Sequence, residues 1–214
     1  MRSKEKSTRI IFVRHGKTDF PLDRIYCDDR EDPALNQLGI SQANSAASAL
    51  ADIELAAIFA SPSLRTRMTA GIIAEKHDLA VEFKSELMER RFGYWEGMYF
   101  HEIEAQYPDE YMNWKRNNAA FQPEGGESVF DLQARLSPCV TELVESFKGQ
   151  AVVVVSHVGP IRATIASAVE LSLEKYRSLT IDYASISIVD YGRSQNNLIC
   201  LNRVWSVVSR NFFR

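Results

Sequence analysis

Ala151-Val152-Val153-Val154-Val155-Ser156-His157-Val158-Gly159 is the stretch on which the fold turns. The valine run is the strongest strand signal in the chain, and a helix is expected right after it, over about residues 160–169. Outward from it, short apolar runs alternate with amphipathic stretches along the whole sequence, the pattern of βα units around a mostly parallel sheet. Residues 10–13, Ile10-Ile11-Phe12-Val13, are apolar on consecutive positions, as expected of a strand buried on both faces. A helix is expected over 38–50 with Asn36 as N-cap. A strand over 57–60 leads to Ser61-Pro62, read as N-cap and first helical residue of a helix running towards Lys76. Ser128 with Asp131 resembles a capping box opening the longest helix, which Pro138 should kink and Gly149 should end. Strands over 184–189 and 197–204 follow, with Gly192 in the turn. The expected fold is a three-layer α/β/α sandwich, a single domain over 1–214 with an aromatic, irregular insertion at about 93–126.

Composition sets the bounds on partners. Of the 214 residues, 45% are hydrophobic and 25% charged, and the net charge is -3, so no global basic field attracts nucleic acid or an anionic membrane. An anionic ligand must therefore meet a local cluster of arginines. Cys27, Cys139 and Cys200 are odd in number and widely spaced, which suits a reducing compartment rather than a disulfide framework. The polar start and the short apolar run after it match neither a signal peptide nor a membrane span, so a cytoplasmic location is expected.

Three expected strands end in polar residues for which a core has no use: Arg14-His15-Gly16-Lys17-Thr18, Ser61-Pro62-Ser63-Leu64-Arg65 and Ser156-His157-Val158-Gly159. Ligands of open parallel sheets bind beyond the carboxyl ends of the strands, so these segments can share one crevice. Arg14 offers a planar, permanently charged fork to phosphate oxygens, and a neutral His15 imidazole can attack phosphorus. Gly16 lets the backbone turn closely, and Arg65 would sit in the first turn of a helix, where anions are favoured. His77 and His101 read as ordinary surface or core histidines.

Arg14-His15-Gly16 after the first strand resembles the signature of the histidine phosphatase superfamily, which includes the cofactor-dependent phosphoglycerate mutases. Four further blocks resemble that family in the same order: residues 33–43, residues 61–70, residues 87–97 (Leu-Met-Glu-Arg-Arg-Phe-Gly-Tyr-Trp-Glu-Gly), and residues 123–128 followed by Ser156-His157. The resemblance implies a phosphoglycerate mutase-like fold and a phosphomonoester hydrolase that works through a phosphohistidine on a small phosphorylated metabolite, with neither metal nor other cofactor. It makes His15 the nucleophile, Glu89 the acid and base, with Glu86 as runner-up, and Arg14, Arg65, His157 and Thr18 the phosphate ligands. Phe20, Tyr26, Asp28, Arg90, Tyr94 and Trp95, with Tyr99 and Trp114, form the expected substrate surface or else pack the insertion. One departure stands out: many members carry a tryptophan-asparagine pair soon after the threonine, where this chain has Asp19-Phe20-Pro21.

Other chemistries fail on spacing. Gly16-Lys17-Thr18 mimics the end of a P-loop, but the leading glycine would fall at Ile11. His101-Glu102 begins a zinc-protease motif whose second histidine would fall at Ala105, and no cysteine has an arginine six residues on. The alternatives kept are a phosphoglycerate mutase and a weakly catalytic phosphate-binding relative. A phosphatase is preferred, since the insertion lacks the basic motif of the mutases. The run from Phe92 to Ser128 looks closest to the broad phosphatase branch that includes α-ribazole phosphatases. The expected partner is a small phosphate ester, and a homodimer is compatible with the sequence.

Overall fold

The computed structural model of the chain describes residues 7–26, 31–116 and 118–205. Its strands are β1 (Thr8–Arg14), β2 (Ala57–Ala60), β3 (Val81–Phe83), β4 (Ala151–Ser156), β5 (Ile186–Tyr191) and β6 (Asn196–Arg203). They form one sheet in the order β3-β2-β4-β1-β5-β6. β1 pairs in parallel with β4, β4 with β2, and β2 with β3. β5 is antiparallel to both of its neighbours and alone runs against the rest. The helices are α1 (Gln37–Leu50), α2 (Leu64–Ala74), α3 (Phe100–Gln106), α4 (Pro108–Lys115), α5 (Val129–Ser146) and α6 (Val158–Ala168). None of the described helices is long and apolar enough to cross a membrane.

Alternate residues of the central strands feed two separate cores. Ile10 and Phe12 of β1 and Val152 and Val154 of β4 pack with Leu132, Leu136 and Leu143 of α5 and with Ile161 and Ile165 of α6. Ile11, Val13, Val153 and Val155 face the other way, against Ala46, Ala47 and Leu50 of α1 and Ala70 and Ile73 of α2. Both sheet faces are thus covered, which is why the strands read as unbroken apolar runs. The expected three-layer α/β/α arrangement is the one observed. Asn36 caps α1 by accepting from Gly39 N at 2.8 Å, and Ser128 and Asp131 form the capping box of α5.

Several expectations need correction. α2 starts at Leu64, with Ser63 in the N-cap position, and not at Pro62. The Ser61 hydroxyl is engaged elsewhere, 2.8 Å from His157 Nε2, and Asp32 caps the helix from a distance by accepting from Leu64 N at 2.8 Å. α6 starts at Val158, so His157 itself holds the N-cap position. α5 contains Pro138 and ends at Ser146, with Phe147 in the C-cap position, and not at Gly149. β3 was not expected; its three residues carry no recognisable period. The segment 93–126 is more ordered than its composition suggests. It contains a 3-10 turn (Gly93–Trp95), α3 and α4, assembled on an aromatic core of Trp95, Tyr111 and Phe121 with Ile25 and Ile103.

Candidate active site

The carboxyl ends of β1, β2 and β4 deliver their polar residues to one place. Behind β1, Gly16 is obligatory: a Cβ there would lie 2.4 Å from Gly39 O, so the loop can rest on the start of α1 only without a side chain. The Gly16 amide donates to Thr69 Oγ1 at 3.1 Å, tying the loop to α2. His15 Nδ1 is 2.8 Å from Gly16 O. A carbonyl only accepts, so Nδ1 carries the proton and Nε2 keeps its lone pair. The rings of His15 and His157 are 5.3 Å apart.

Arg65, in the first turn of α2, is fully buried and donates Nη2 to His157 Nδ1 at 3.1 Å. That leaves the His157 proton on Nε2, directed at Ser61 Oγ. The Arg65 guanidinium also lies 4.2 Å from the Tyr26 ring centre and 3.7 Å from Asp32 Oδ1. Arg14 donates Nη1 to Ile181 O at 2.8 Å and stacks on Tyr183 at 3.8 Å, while its Nε is buried without a hydrogen-bond partner. Burial, then the charges of Arg65 and Arg14, hold the pKa of His15 well below the ordinary imidazole value. Burial and Arg65 do the same for His157. Both rings are therefore neutral while two guanidinium groups stand beside them, an arrangement suited to an oxyanion.

Glu89 reaches the same place from the segment after the 3-10 turn Ser85–Leu87. Its Oε1 accepts from Arg90 N at 2.8 Å and from Gly159 N, in the first turn of α6, at 3.2 Å. A Cβ on Gly159 would lie 2.3 Å from Oε1, so this glycine makes room for the carboxylate. Burial pushes the pKa of Glu89 up, against the opposing pull of those two amides and of Arg65 and Arg14. Glu86, the runner-up, is exposed. No group of three or more His, Cys, Asp or Glu among the described residues is placed to hold a metal ion.

A cavity of about 350 Å³ adjoins this cluster, with Arg14, Glu89, Gly159, Tyr26 and Tyr183 in its wall. His15, Arg65 and His157 are buried behind these residues. Of the expected substrate residues, Tyr26, Arg90 and Trp114 line the cavity, and Phe20 stacks on Tyr26 with centroids 4.2 Å apart. Thr18 Oγ1 is 2.9 Å from the Tyr26 hydroxyl, a second support for that ring. Arg90 is largely committed to structure, donating to Glu127 O and Phe121 O, both at 2.7 Å. Trp95 is fully buried in the aromatic core, Tyr94 donates to Glu110, and Tyr99 serves as the N-cap residue of α3; none of the three lines the cavity. Their aromatic character is packing. Asp28 and Cys27 lie outside the described residues. Asp19, where many relatives of the resembled family differ, accepts from Asn36 Nδ2 at 2.8 Å.

The sequence concealed other contributors. Tyr183 and Ile181 hold Arg14, Ser61 meets His157, and Asp32 serves both α2 and Arg65. Behind Glu89, Arg135 of α5 bonds the buried Glu127 carboxylate through Nε at 2.7 Å and Nη2 at 2.9 Å. The same guanidinium donates to the carbonyls of Glu86, Met88 and Glu89, and Glu127 accepts from Arg91 N. Ser61 and Glu127 lie in stretches marked in the sequence, but nothing there marks Arg135 as their kind of contributor.

With this geometry in place, comparison with known proteins is decisive. The sequence profile of the histidine phosphatase superfamily (branch 1) matches residues 10–204. The chain belongs to that family. It is 32% identical to phosphoserine phosphatase 1 of Hydrogenobacter thermophilus, over 91% of this chain and 92% of that one. It is 32% identical to glucosyl-3-phosphoglycerate phosphatase of Mycobacterium tuberculosis, over 81% of each. A native structure of the mycobacterial glucosyl-3-phosphoglycerate phosphatase superposes with a TM-score of 0.84, covering 92% of this chain and 99% of that one. The α-ribazole phosphatase from Shigella flexneri, 25% identical, superposes with a TM-score of 0.82 over 94% and 100% of the two chains. The chain is a phosphatase of the histidine type, as its sequence blocks implied.

Proposed function

We propose that the protein hydrolyses small phosphate monoesters through a phosphohistidine at His15. The observation that carries this reading is a neutral imidazole that keeps its Nε2 lone pair beside two guanidinium groups, with the partly buried Glu89 carboxyl in the adjoining cavity wall. In the first step His15 Nε2 bonds to phosphorus and the ester P–O bond breaks. Glu89, in its protonated form, gives its proton to the departing oxygen. Arg14 and Arg65, with His157 once its Nε2 proton turns from Ser61 to the phosphoryl group, hold the phosphoryl oxygens as charge redistributes, which is where positioned donors do most for the rate. In the second step water attacks phosphorus, ionised Glu89 takes its proton, and the P–N bond breaks to release phosphate. The arginines supply the charge that a metal supplies in other phosphatases.

His15 is only 2% exposed and lies behind the cavity wall, so on this reading the phosphoryl group passes that wall while the leaving group stays in the cavity. A cavity of about 350 Å³ suits a metabolite rather than a phosphoprotein segment. The named substrates of the two relatives, phosphoserine and glucosyl-3-phosphoglycerate, are of that class. A cytoplasmic site of action, from the cysteine pattern, belongs to the same proposal.

The test is hydrolysis of p-nitrophenyl phosphate in excess EDTA by the wild type and by His15→Ala, with acid-labile phosphoenzyme trapped in parallel. The expected result is EDTA-resistant turnover with a trapped phosphohistidine, both abolished in the variant. A folded wild type with neither turnover nor phosphoenzyme overturns the proposal.

A further inference from the structure

His157 has a single proton to give, and in the structure that proton is directed at a serine. Nδ1 of His157 accepts from Arg65 Nη2 at 3.1 Å, so its N–H is on Nε2, 2.8 Å from Ser61 Oγ. Both side chains are fully buried, where a lost hydrogen bond is not made up by bulk water. One short segment, residues 61–65, thus does two things to the same imidazole: Arg65 fixes its tautomer and Ser61 engages its proton.

Ser61 is held in place from both sides. Its amide donates to Val155 O at 3.0 Å and its carbonyl accepts from Thr66 Oγ1 at 2.7 Å, which ties it to β4 and to α2. Pro62 keeps the Ser61 backbone out of the helical region. Its hydroxyl also lies 3.4 Å from Ser63 Oγ, to which its own proton can go. The Ser61 hydroxyl therefore cannot follow the imidazole. The His15 ring is centred 5.3 Å from that of His157, so a phosphoryl group at His15 and the serine call on the same N–H. Binding exchanges one hydrogen bond for another, Nε2–H to Oγ for Nε2–H to a phosphoryl oxygen, and no proton changes owner. Such an exchange contributes little, whereas a donor without any partner would contribute its full weight to binding.

We infer that Ser61 is a positioning residue that competes with phosphate for the His157 proton and so loosens the hold of the site on its product, inorganic phosphate. This rests on the phosphatase reading, in which His157 binds phosphoryl oxygens. The experiment measures the dissociation constant of inorganic phosphate by titration calorimetry and its inhibition constant against p-nitrophenyl phosphate hydrolysis. A serine that only supported the fold would weaken phosphate binding when truncated. Competition gives the opposite sign: Ser61→Ala is expected to bind phosphate roughly 5–20-fold more tightly, the return when a buried donor left without a partner regains one. In a His157→Ala background the same substitution should change phosphate affinity by less than about twofold, because the contested proton is gone. Should Ser61→Ala fail to fold, Ser61→Cys, close in shape and a weaker acceptor, is expected to tighten binding by a smaller factor. Equal or weaker phosphate binding in a folded Ser61 variant, or an effect that persists without His157, overturns the inference. Persistent His15-dependent hydrolysis of p-nitrophenyl phosphate by the wild type would show in that event that the phosphatase reading itself survives.

Discussion

A single missing side chain sets the position of Glu89, the proposed acid. Gly159 leaves space that the Glu89 carboxylate fills, and any Cβ would collide with it. Gly159→Ala is therefore expected to displace Glu89 and to cost about 1–3 kcal/mol in stability by overpacking. Turnover of an alkyl phosphate should fall far more than that of p-nitrophenyl phosphate, whose leaving group hardly needs a proton; comparable losses on both esters would show that Glu89 is not the acid. The pH dependence follows from the same residues. On the proposed mechanism Glu89 is protonated for the first step, and its raised pKa keeps that form above the ordinary carboxylate range and loses it as pH rises further. The proposed nucleophile His15 works in its neutral form, and its lowered pKa keeps that form below the ordinary imidazole range. Alkyl phosphate turnover should persist in mildly acidic solution and decline on the alkaline side. Glu89→Gln should remove the alkaline decline and lower that turnover by roughly 10²–10⁴-fold. His15, Arg14, Arg65 and His157 were legible in the sequence because polar side chains at or just beyond the ends of buried strands have no use in a core. Tyr183 was not, because a loop tyrosine looks the same whether it faces solvent or a cavity.

At the scale of elements, the segment carrying Glu89 is held by a helix rather than by a strand. Arg135 spans from the buried Glu127 carboxylate to three consecutive-turn carbonyls between Glu86 and Glu89. Burial alone would raise the pKa of Glu127, but Arg135 and the Arg91 amide bring it below the ordinary value. The stabilisation is thus present above the carboxylate range and lost as pH falls through it. Arg135→Met strands a buried carboxylate, at a cost of about 3–5 kcal/mol. A thermal melt should fall by about 2–4 °C for each of these kcal/mol, and Arg135→Met with Glu127→Gln should recover part of the loss. A melt unchanged in the single variant would mean the clamp holds nothing. The misplaced start of α2 has the same origin as this clamp. Ser61-Pro62 is a good local N-cap signal, but the Ser61 hydroxyl serves His157 and a carboxylate thirty residues earlier in the chain caps the helix instead. Local rules could not see either partner. The α1 and α5 caps were legible because Asn36 and Ser128 act on their own helices.

For the molecule as a whole, the site is a point where separate elements carry like charges towards one another, so filling it should stabilise the fold. Inorganic phosphate at about 100 times its dissociation constant should add about 2.7 kcal/mol and raise the melting temperature by roughly 5–10 °C. Differential scanning fluorimetry checks this, and Arg65→Met should abolish the response; an equal shift in that variant would place phosphate elsewhere. The layer order was readable from the sequence, since apolar residues on consecutive strand positions require covered faces on both sides. The reversal of β5 was not, because a strand's direction is set by its partner.

That reversal has a consequence in time. Because β5 runs backwards, its leading end lies beside the trailing end of β1, and the loop before it brings Ile181 and Tyr183 to Arg14. β1 thus stays without either of its sheet neighbours until residues 151–156 and 186–191 have been made. A ribosome adding roughly 5–20 residues per second leaves the His15 strand waiting many seconds for them. The nascent chain therefore carries His15, the proposed nucleophile, long before the strands and the loop that complete the proposed phosphate site.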